Sequence, residues 1–258
     1  MRHLNVVLKY ALVLLLLQAC ESPQPAAPSP IPAESRQMLL VVIPDADAIQ
    51  GRLYRYERGA GQQAWQPAGV PAAIVVGYNG LGWGRGMHPA EAQPDMPIKR
   101  EGDGKSPAGI FRLSTIFGFA PPDSVSGFKL PYQHVTEVLE CVDDSASKYY
   151  NRIVARDAID SVDWQSSEKM RKITVQYQLG VTVDHNSDPV LPAGGSCIFL
   201  HIWKNANDPT SGCTAMTAEN MQAIAAWLDG AQQPLLVQLT EPLYRQFKAT
   251  WQLPEIGQ

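Results

Sequence analysis

A histidine and a cysteine twelve residues apart carry the strongest chemical signal in this chain. His201 lies in the apolar run Gly195-Ser196-Cys197-Ile198-Phe199-Leu200-His201-Ile202-Trp203, and Cys213 in Pro209-Thr210-Ser211-Gly212-Cys213-Thr214-Ala215-Met216. Taken singly, each has an ordinary structural reading. A histidine in an apolar strand is commonly a hydrogen-bonded core residue, and a lone cysteine a small buried hydrophobe. Together they suit acyl transfer, with the imidazole as base and the thiol as nucleophile. Gly212 lets the backbone approach a substrate closely, and amide N–H groups around it can face an oxyanion. A cysteine just ahead of a helix also lies in a field that favours the thiolate.

That helix is clear in the sequence. Thr217 can cap it and Glu219 falls in its first turn, where the dipole favours negative charge. Met221, Ile224, Ala225 and Leu228 follow at i, i+3, i+4 and i+7, one buried face, and Gly230 stands where a helix stops. The helix is expected from about Thr217 to Asp229. Strands are expected at Met38–Ile43, Leu53–Arg58, a partner resuming at Trp65, Ala72–Tyr78, Ile173–Leu179, Val181–His185, Cys197–Trp203 and Leu235–Leu239. A short terminal helix is expected over Leu243–Trp251. Gly80 to Gly86 lacks phosphate-loop spacing and reads as a loop. Residues 120–170 read as loop with some helix. Their cluster of Asp143, Asp144, Ser145, Tyr149, Tyr150 and Asn151 does not match a calcium loop, and suggests a solvated loop or a substrate-facing cap.

Phe199-Leu200-His201 followed by Ser211-Gly212-Cys213 resembles the signature of the L,D-transpeptidase catalytic domain family: a His, a spacer, then Ser/Thr-His-Gly-Cys and often Arg or Asn. Lys99-Arg100-Glu101-Gly102-Asp103-Gly104-Lys105-Ser106-Pro107-Ala108-Gly109-Ile110-Phe111 resembles the family's Thr-Pro-x-Gly-x-Phe segment. Val183-Asp184-His185-Asn186 and Trp164-Gln165-Ser166-Ser167-Glu168-Lys169-Met170 resemble a divergent branch. The resemblance runs from about 74 to 228. It implies a mixed α/β, mainly β fold: a β-sandwich or barrel domain with one helix packed after the catalytic Cys. It implies Cys213 as nucleophile and His201 as base, with Ser211 and Gly212 beside them. It further implies peptidoglycan stem peptides as substrate, acylation by carbapenems, and no cofactor or metal. Two departures bear on substrate handling. Ser211 replaces the family's second His, and Thr214-Ala215 replaces the usual Arg or Asn. His185, Asn186 and Thr214 are the candidate substrate contacts, with a structural turn role for His185 beside Asn186 as the alternative. Two rival readings stay open: a papain-like wall peptidase, whose Cys would precede its His, and an inactive or hydrolytic wall-binding lipoprotein of the same fold.

The remaining features concern location. Arg2 and Lys9, the apolar run Ala11–Leu17 and a small-residue exit read as a signal peptide over 1–19. The exit Leu17-Gln18-Ala19-Cys20 resembles the lipobox of bacterial lipoproteins, which implies that Cys20 is lipidated, with an ordinary signal peptide as the alternative. The apolar run is too short to span a bilayer. Residues 20–36, rich in Pro, read as a tether, leaving 37–258 as the catalytic domain. Glu21, rather than Asp, follows Cys20; by resemblance to Gram-negative lipoproteins this implies, in a Gram-negative organism, an outer-membrane location facing the periplasm. With 21 basic against 25 acidic side chains, the chain lacks the polybasic footprint of nucleic-acid binders. If Cys20 is lipidated, three cysteines remain. In an oxidising compartment that number suggests one disulfide and one free thiol. Cys213 must stay reduced to act, so Cys141 and Cys197 are expected to pair; two buried thiols are the alternative.

Overall fold

The computed structural model describes residues 29–257 apart from 92 and 94. Cys20 and the signal segment lie outside the described residues. Eight strands close into a barrel, in the order β1 (Gln37–Ile43), β14 (Leu235–Thr240), β6 (Ser106–Gly118), β11 (Leu179–Val183), β12 (Phe199–Ile202), β13 (Thr214–Met216), β4 (Ala72–Val75) and β2 (Gln50–Glu57), with β2 returning to β1. Three short strands extend it: β3 (Gln66–Pro67) on β2, and β5 (Leu81–Trp83) and β7 (Tyr132–His134) on β6. A separate antiparallel sheet holds β8 (Leu139–Val142) between β9 (Ile153–Ala155) and β10 (Ser167–Lys169). Only two α-helices occur among the described residues, α1 (Ala218–Trp227) and α2 (Glu241–Phe247). The mainly β barrel expected from the family resemblance is therefore the observed fold.

Closure explains the burial. All residues of β1 and β14 are buried, and the two strands run parallel, Met38 beside Leu235. Strands covered on both faces read as continuous apolar runs, as Met38–Ile43 does. Helix α2 lies against β14 and β1; α1 lies against β11 and β12 and buries Met221, Ile224 and Ala225. Thr217 caps α1 as expected, its hydroxyl accepting the Asn220 N–H at 3.2 Å. The helix stops at Leu228, whose backbone is extended, before Gly230 is reached. Helix α2 begins earlier than expected, capped by Thr240 and with Pro242 in its first turn.

Four local expectations change. Leu81–Trp83, inside the glycine stretch, is a strand beside β6. Its glycines serve close approach: a Cβ at Gly86 would lie 2.1 Å from the Ile110 carbonyl oxygen. Ile173–Leu179 is not a strand until its last residue; 3-10 turns occupy Met170–Lys172 and Gln176–Gln178. Packing overrides β propensity there, because Tyr177 is drawn against Phe117 and Phe199, at ring distances of 5.4 and 5.5 Å, while Val175 is left exposed. The 120–170 region carries the small three-stranded sheet. Finally, packing begins before residue 37. Ile31 is buried, and Arg58 donates to the carbonyls of Ser35 and Pro32 at 2.7 and 2.5 Å. An extended Pro-rich segment loses little entropy on docking, so its end from Ser29 to Arg36 joins the fold.

Candidate active site

Strands β12 and β13 run parallel, with Leu200 beside Thr214, His201 beside Ala215 and Ile202 beside Met216. One step back on this register sets Cys213 level with Phe199. Side chains alternate along strands, so Phe199, His201, Cys213 and Ala215 share one face. Cys213, His201 and Ala215 line a cavity of about 220 Å³ together with Tyr177, Glu168, Thr210, Ser211 and others. Thr214 faces the other way, its hydroxyl donating to Gln238 Oε1 at 2.6 Å. The structure thus brings Cys213, His201 and Ser211 to one cavity and turns Thr214 from it.

The thiol is held by the backbone. Its Sγ accepts the Phe199 N–H at 3.3 Å and donates to the Cys197 carbonyl at 3.4 Å. Cys213 is only 7 % exposed. Burial pushes its pKa well up and the neighbouring Glu168 adds to this, against the Phe199 N–H, the charge of Lys99 and the Tyr177 hydroxyl. At rest it is a thiol. The helix field expected from the sequence does not reach it, because β13 intervenes and α1 starts only at Ala218; such fields fade within a turn.

His201 is 6 % exposed and held by its own strand. Its Nδ1 lies 2.8 Å from the Ile202 carbonyl oxygen, which assigns the proton to Nδ1 and leaves the Nε2 lone pair free. Burial lowers its pKa to about 4, so the ring is neutral near pH 7 and able to accept a proton. No hydrogen bond joins it to Cys213 among the described residues. Tyr177 fills the space beside both, its ring centroid 5.6 Å from that of His201 in an edge-on arrangement and its hydroxyl next to the thiol. The same hydroxyl donates to Glu168 Oε2 at 2.5 Å.

Two hydroxyls fix the loop that carries Cys213. Thr210 Oγ1 accepts the Gly212 N–H at 3.1 Å and donates to the Cys213 carbonyl at 2.6 Å. Ser106 Oγ donates to that same carbonyl at 2.8 Å and accepts the Gly77 N–H at 2.9 Å. The Gly212 N–H, expected to face an oxyanion, is engaged by Thr210 in this structure.

The other expected site residues lie elsewhere. His185 is 1 % exposed. Its Nδ1 accepts the Arg85 N–H at 3.2 Å and its Nε2 donates to the Gly194 carbonyl at 2.9 Å. Burial lowers its pKa to about 3. Asn186 bonds Leu191 and Gly195 and borders a different cavity, of about 500 Å³, with Arg85, Arg112 and Asp184. Both side chains shape a turn, the alternative role weighed for His185. Cys141 and Cys197 form a disulfide with Cα atoms 6.0 Å apart, and Cys213 is the free cysteine among the described residues. The disulfide ties β8 to Cys197, whose N–H is also held by Asn151 Oδ1 at 3.0 Å and whose carbonyl accepts the Cys213 thiol. Asp143 and Asp144 accept hydrogen bonds within the small sheet's turns, from Ser166, Gln165 and Ala146.

Sequence reading missed Tyr177, Glu168, Thr210 and Ser106 as site residues. Thr210 stands in the motif loop, and Glu168 in a block that resembles the family. Nothing in the spacing brings Ser106 to a residue 107 positions on.

The family model YkuD, L,D-transpeptidase catalytic domain, matches residues 41–239, a span that runs from β1 to β14 and contains the whole cavity. No curated protein and no solved structure matches the chain.

Proposed function

The chain belongs to the L,D-transpeptidase catalytic domain family, and from that premise we propose that it acylates Cys213 with a peptidoglycan stem peptide, with His201 as the base. The observation that carries this reading is the shared cavity: the free thiol of Cys213 and a neutral imidazole stand on one face of two adjoining parallel strands. The donor is bound first, since the resting group is a thiol. Rotation of the Cys213 side chain between staggered positions moves Sγ from the Cys197 carbonyl towards the cavity. His201 Nε2 takes the thiol proton, and sulfur attacks the amide carbonyl joining diaminopimelate to a terminal D-Ala. The C–N bond breaks, His201 returns the proton to the departing amine, and a thioester remains. An amine of a second stem peptide then gives a cross-link, and water in its place gives a trimmed stem. The Thr210 and Ser106 hydroxyls on the Cys213 carbonyl keep the loop from shifting as sulfur moves.

Intact-protein mass spectrometry after exposure to a carbapenem tests the site, and muropeptide analysis of treated sacculi tests the reaction. A single adduct on Cys213 is expected, absent in Cys213→Ala and formed about 10²–10⁴-fold more slowly in His201→Ala, the usual effect of losing a general base. An adduct at Cys141 or Cys197 overturns the assignment. Neither adduct nor turnover favours a wall-binding protein without activity.

The same reading places the protein in the cell envelope, facing the periplasm from the outer membrane, with lipidated Cys20 as its anchor and the Pro-rich segment as spacer. Leu17-Gln18-Ala19-Cys20 supports it. An intact mass without lipid would refute it.

A further inference from the structure

We propose that Glu168 is the subsite for the acceptor amine: its carboxylate binds the incoming nucleophile as an ammonium ion and takes the proton that must leave before nitrogen can attack. This rests on the Cys213 thioester reading above and assigns a residue to its second half.

Three observations carry it. Glu168, on β10, lines the same cavity as Cys213 and His201. Its Oε2 accepts the Tyr177 hydroxyl at 2.5 Å, whereas its Oε1 has no hydrogen-bond partner among the described residues. The neighbouring carboxylate shows what a structural role looks like in this sheet: Glu140 is covered by Lys169, Ser167, Trp164 and Arg156. No protein cation answers Glu168 in the same way. Lys204, which borders the cavity, pairs with Asp208, and Lys99 pairs with Asp103. The other charges felt by Glu168 are those of Asp143 and Glu101, both negative. The Glu101 Oε2 is bonded by Tyr150 and Ser196, and Asp143 Oδ1 by Ser166. A partly buried carboxylate opening on a cavity, without a cation, is a site that selects one.

The position fits the reaction. Tyr177 Oη lies next to the Cys213 thiol and bonds Glu168 directly. An attacking amine must come within about 3–3.5 Å of the thioester carbon, which places its nitrogen beside this oxygen pair. The acceptor arrives as an ammonium ion and gives one proton to Glu168. Its nitrogen lone pair then forms the C–N bond while the C–S bond breaks. A second nitrogen proton passes through His201 to sulfur, restoring the thiol, and Glu168 releases its proton to water. The net change is thioester plus ammonium to amide, thiol and one proton. Water carries no charge and is not drawn to the carboxylate as an ammonium ion is, so Glu168 raises the local share of the amine and biases the enzyme towards cross-linking over hydrolysis.

The test compares two nucleophiles on one acyl-enzyme. The full chain is given a purified tetrapeptide muropeptide, which serves as donor and as cationic acceptor, with or without hydroxylamine, which is uncharged near pH 7. Cross-linked dimer and hydroxamate are quantified by mass spectrometry. In Glu168→Gln the Cys213 adduct is measured separately as the rate of acylation, and the hydroxamate reports the acyl-enzyme available to any nucleophile. The ratio of dimer to hydroxamate should fall about 10–100-fold below that of wild type, through a higher KM for the acceptor, the scale of one lost hydrogen bond to a charged group. Glu168→Asp, which keeps the charge, should recover part of the dimer and guards against a folding defect in the amide variant. An unchanged ratio of dimer to hydroxamate in Glu168→Gln overturns the proposal, as does wild type that hydrolyses its thioester without ever forming dimer. Failure of wild type to form any acyl-enzyme removes the Cys213 reading instead, and this proposal with it.

Discussion

Lowering the pH from 7 to 5 should cost this fold about 3–4 kcal/mol, and the sign follows from which groups are buried uncharged. His88, His185 and His201 are each buried. Desolvation is the first cause in each case, and it takes their pKa values to about 4, 3 and 4. An unfolded histidine titrates near 6.5. Such a group stabilises the fold above the unfolded value, and that stability drains away as the pH falls towards the folded one. Between pH 7 and 5 each histidine loses about 2 kcal/mol, about 6 together. Glu168 acts in the opposite direction. Burial raises it to about 7, so its contribution is complete below the unfolded carboxylate value and lost as pH rises through 7. Acidification therefore returns about 2 kcal/mol, which sets the net. Urea unfolding at the two pH values, with a common slope, should show the midpoint falling by roughly 1–2 M. Glu168→Gln removes the offset, so the loss should steepen to about 6 kcal/mol. A midpoint that holds or rises between pH 7 and 5 would refute the reasoning.

Reduction of the Cys141–Cys197 disulfide, which closes a span of 56 residues, should lower stability by about 4 kcal/mol on the loop-entropy model; identical urea midpoints with and without reductant would contradict it. Gly109→Ala should prevent accumulation of folded protein, because φ is +137° and a Cβ would lie 1.9 Å from the His88 ring. Gly61→Ala, with nothing within 4 Å, should cost only about 1 kcal/mol for its positive φ; equal soluble yields for the two would sink the argument. Thr210→Val removes the hydroxyl that bonds both Gly212 N–H and the Cys213 carbonyl, and should slow carbapenem acylation of Cys213 about tenfold, one hydrogen bond's worth, with little change in melting temperature. Unaltered acylation would mean that the loop is held by Ser106 alone.

The parts of this site that were legible in the sequence are those whose signals are local. His201 announces a strand by its apolar neighbours, Cys213 a loop by Gly212, and α1 a helix by its cap and its three-to-four spacing. The run Met38–Ile43 betrays a strand buried on both faces. What escaped reading depends on contacts between distant segments. Ile173 to Leu179 has strand composition, yet Tyr177 is claimed by Phe117 and Phe199. Leu81–Trp83 hides in a glycine tract because its partner is β6. His185 and Asn186 looked chemical and are a buried turn. Thr214 sits next to Cys213 in sequence but faces the other way, a direction settled only once the register with β12 is known. Ser106, on β6 of the barrel, and Glu168, on β10 of the separate sheet, are far from Cys213 in the chain and meet it only in the folded protein.

Strand β14 also governs how this protein can be made. It alone joins β1 to β6, and it follows every other strand of the barrel in the chain. Until Leu235–Thr240 is available, β1 has one unpaired edge and the run Met38–Ile43, wholly buried in the finished barrel, stays open to other chains. An exposed apolar strand edge is a template for intermolecular pairing. A message cut short between codons 214 and 234 would therefore yield an adhesive product that cannot close the barrel, even though His201 and Cys213 had both been synthesised. The chemistry is encoded before the barrel that holds it in place, and a chain still in synthesis depends on being kept apart from its copies during that interval.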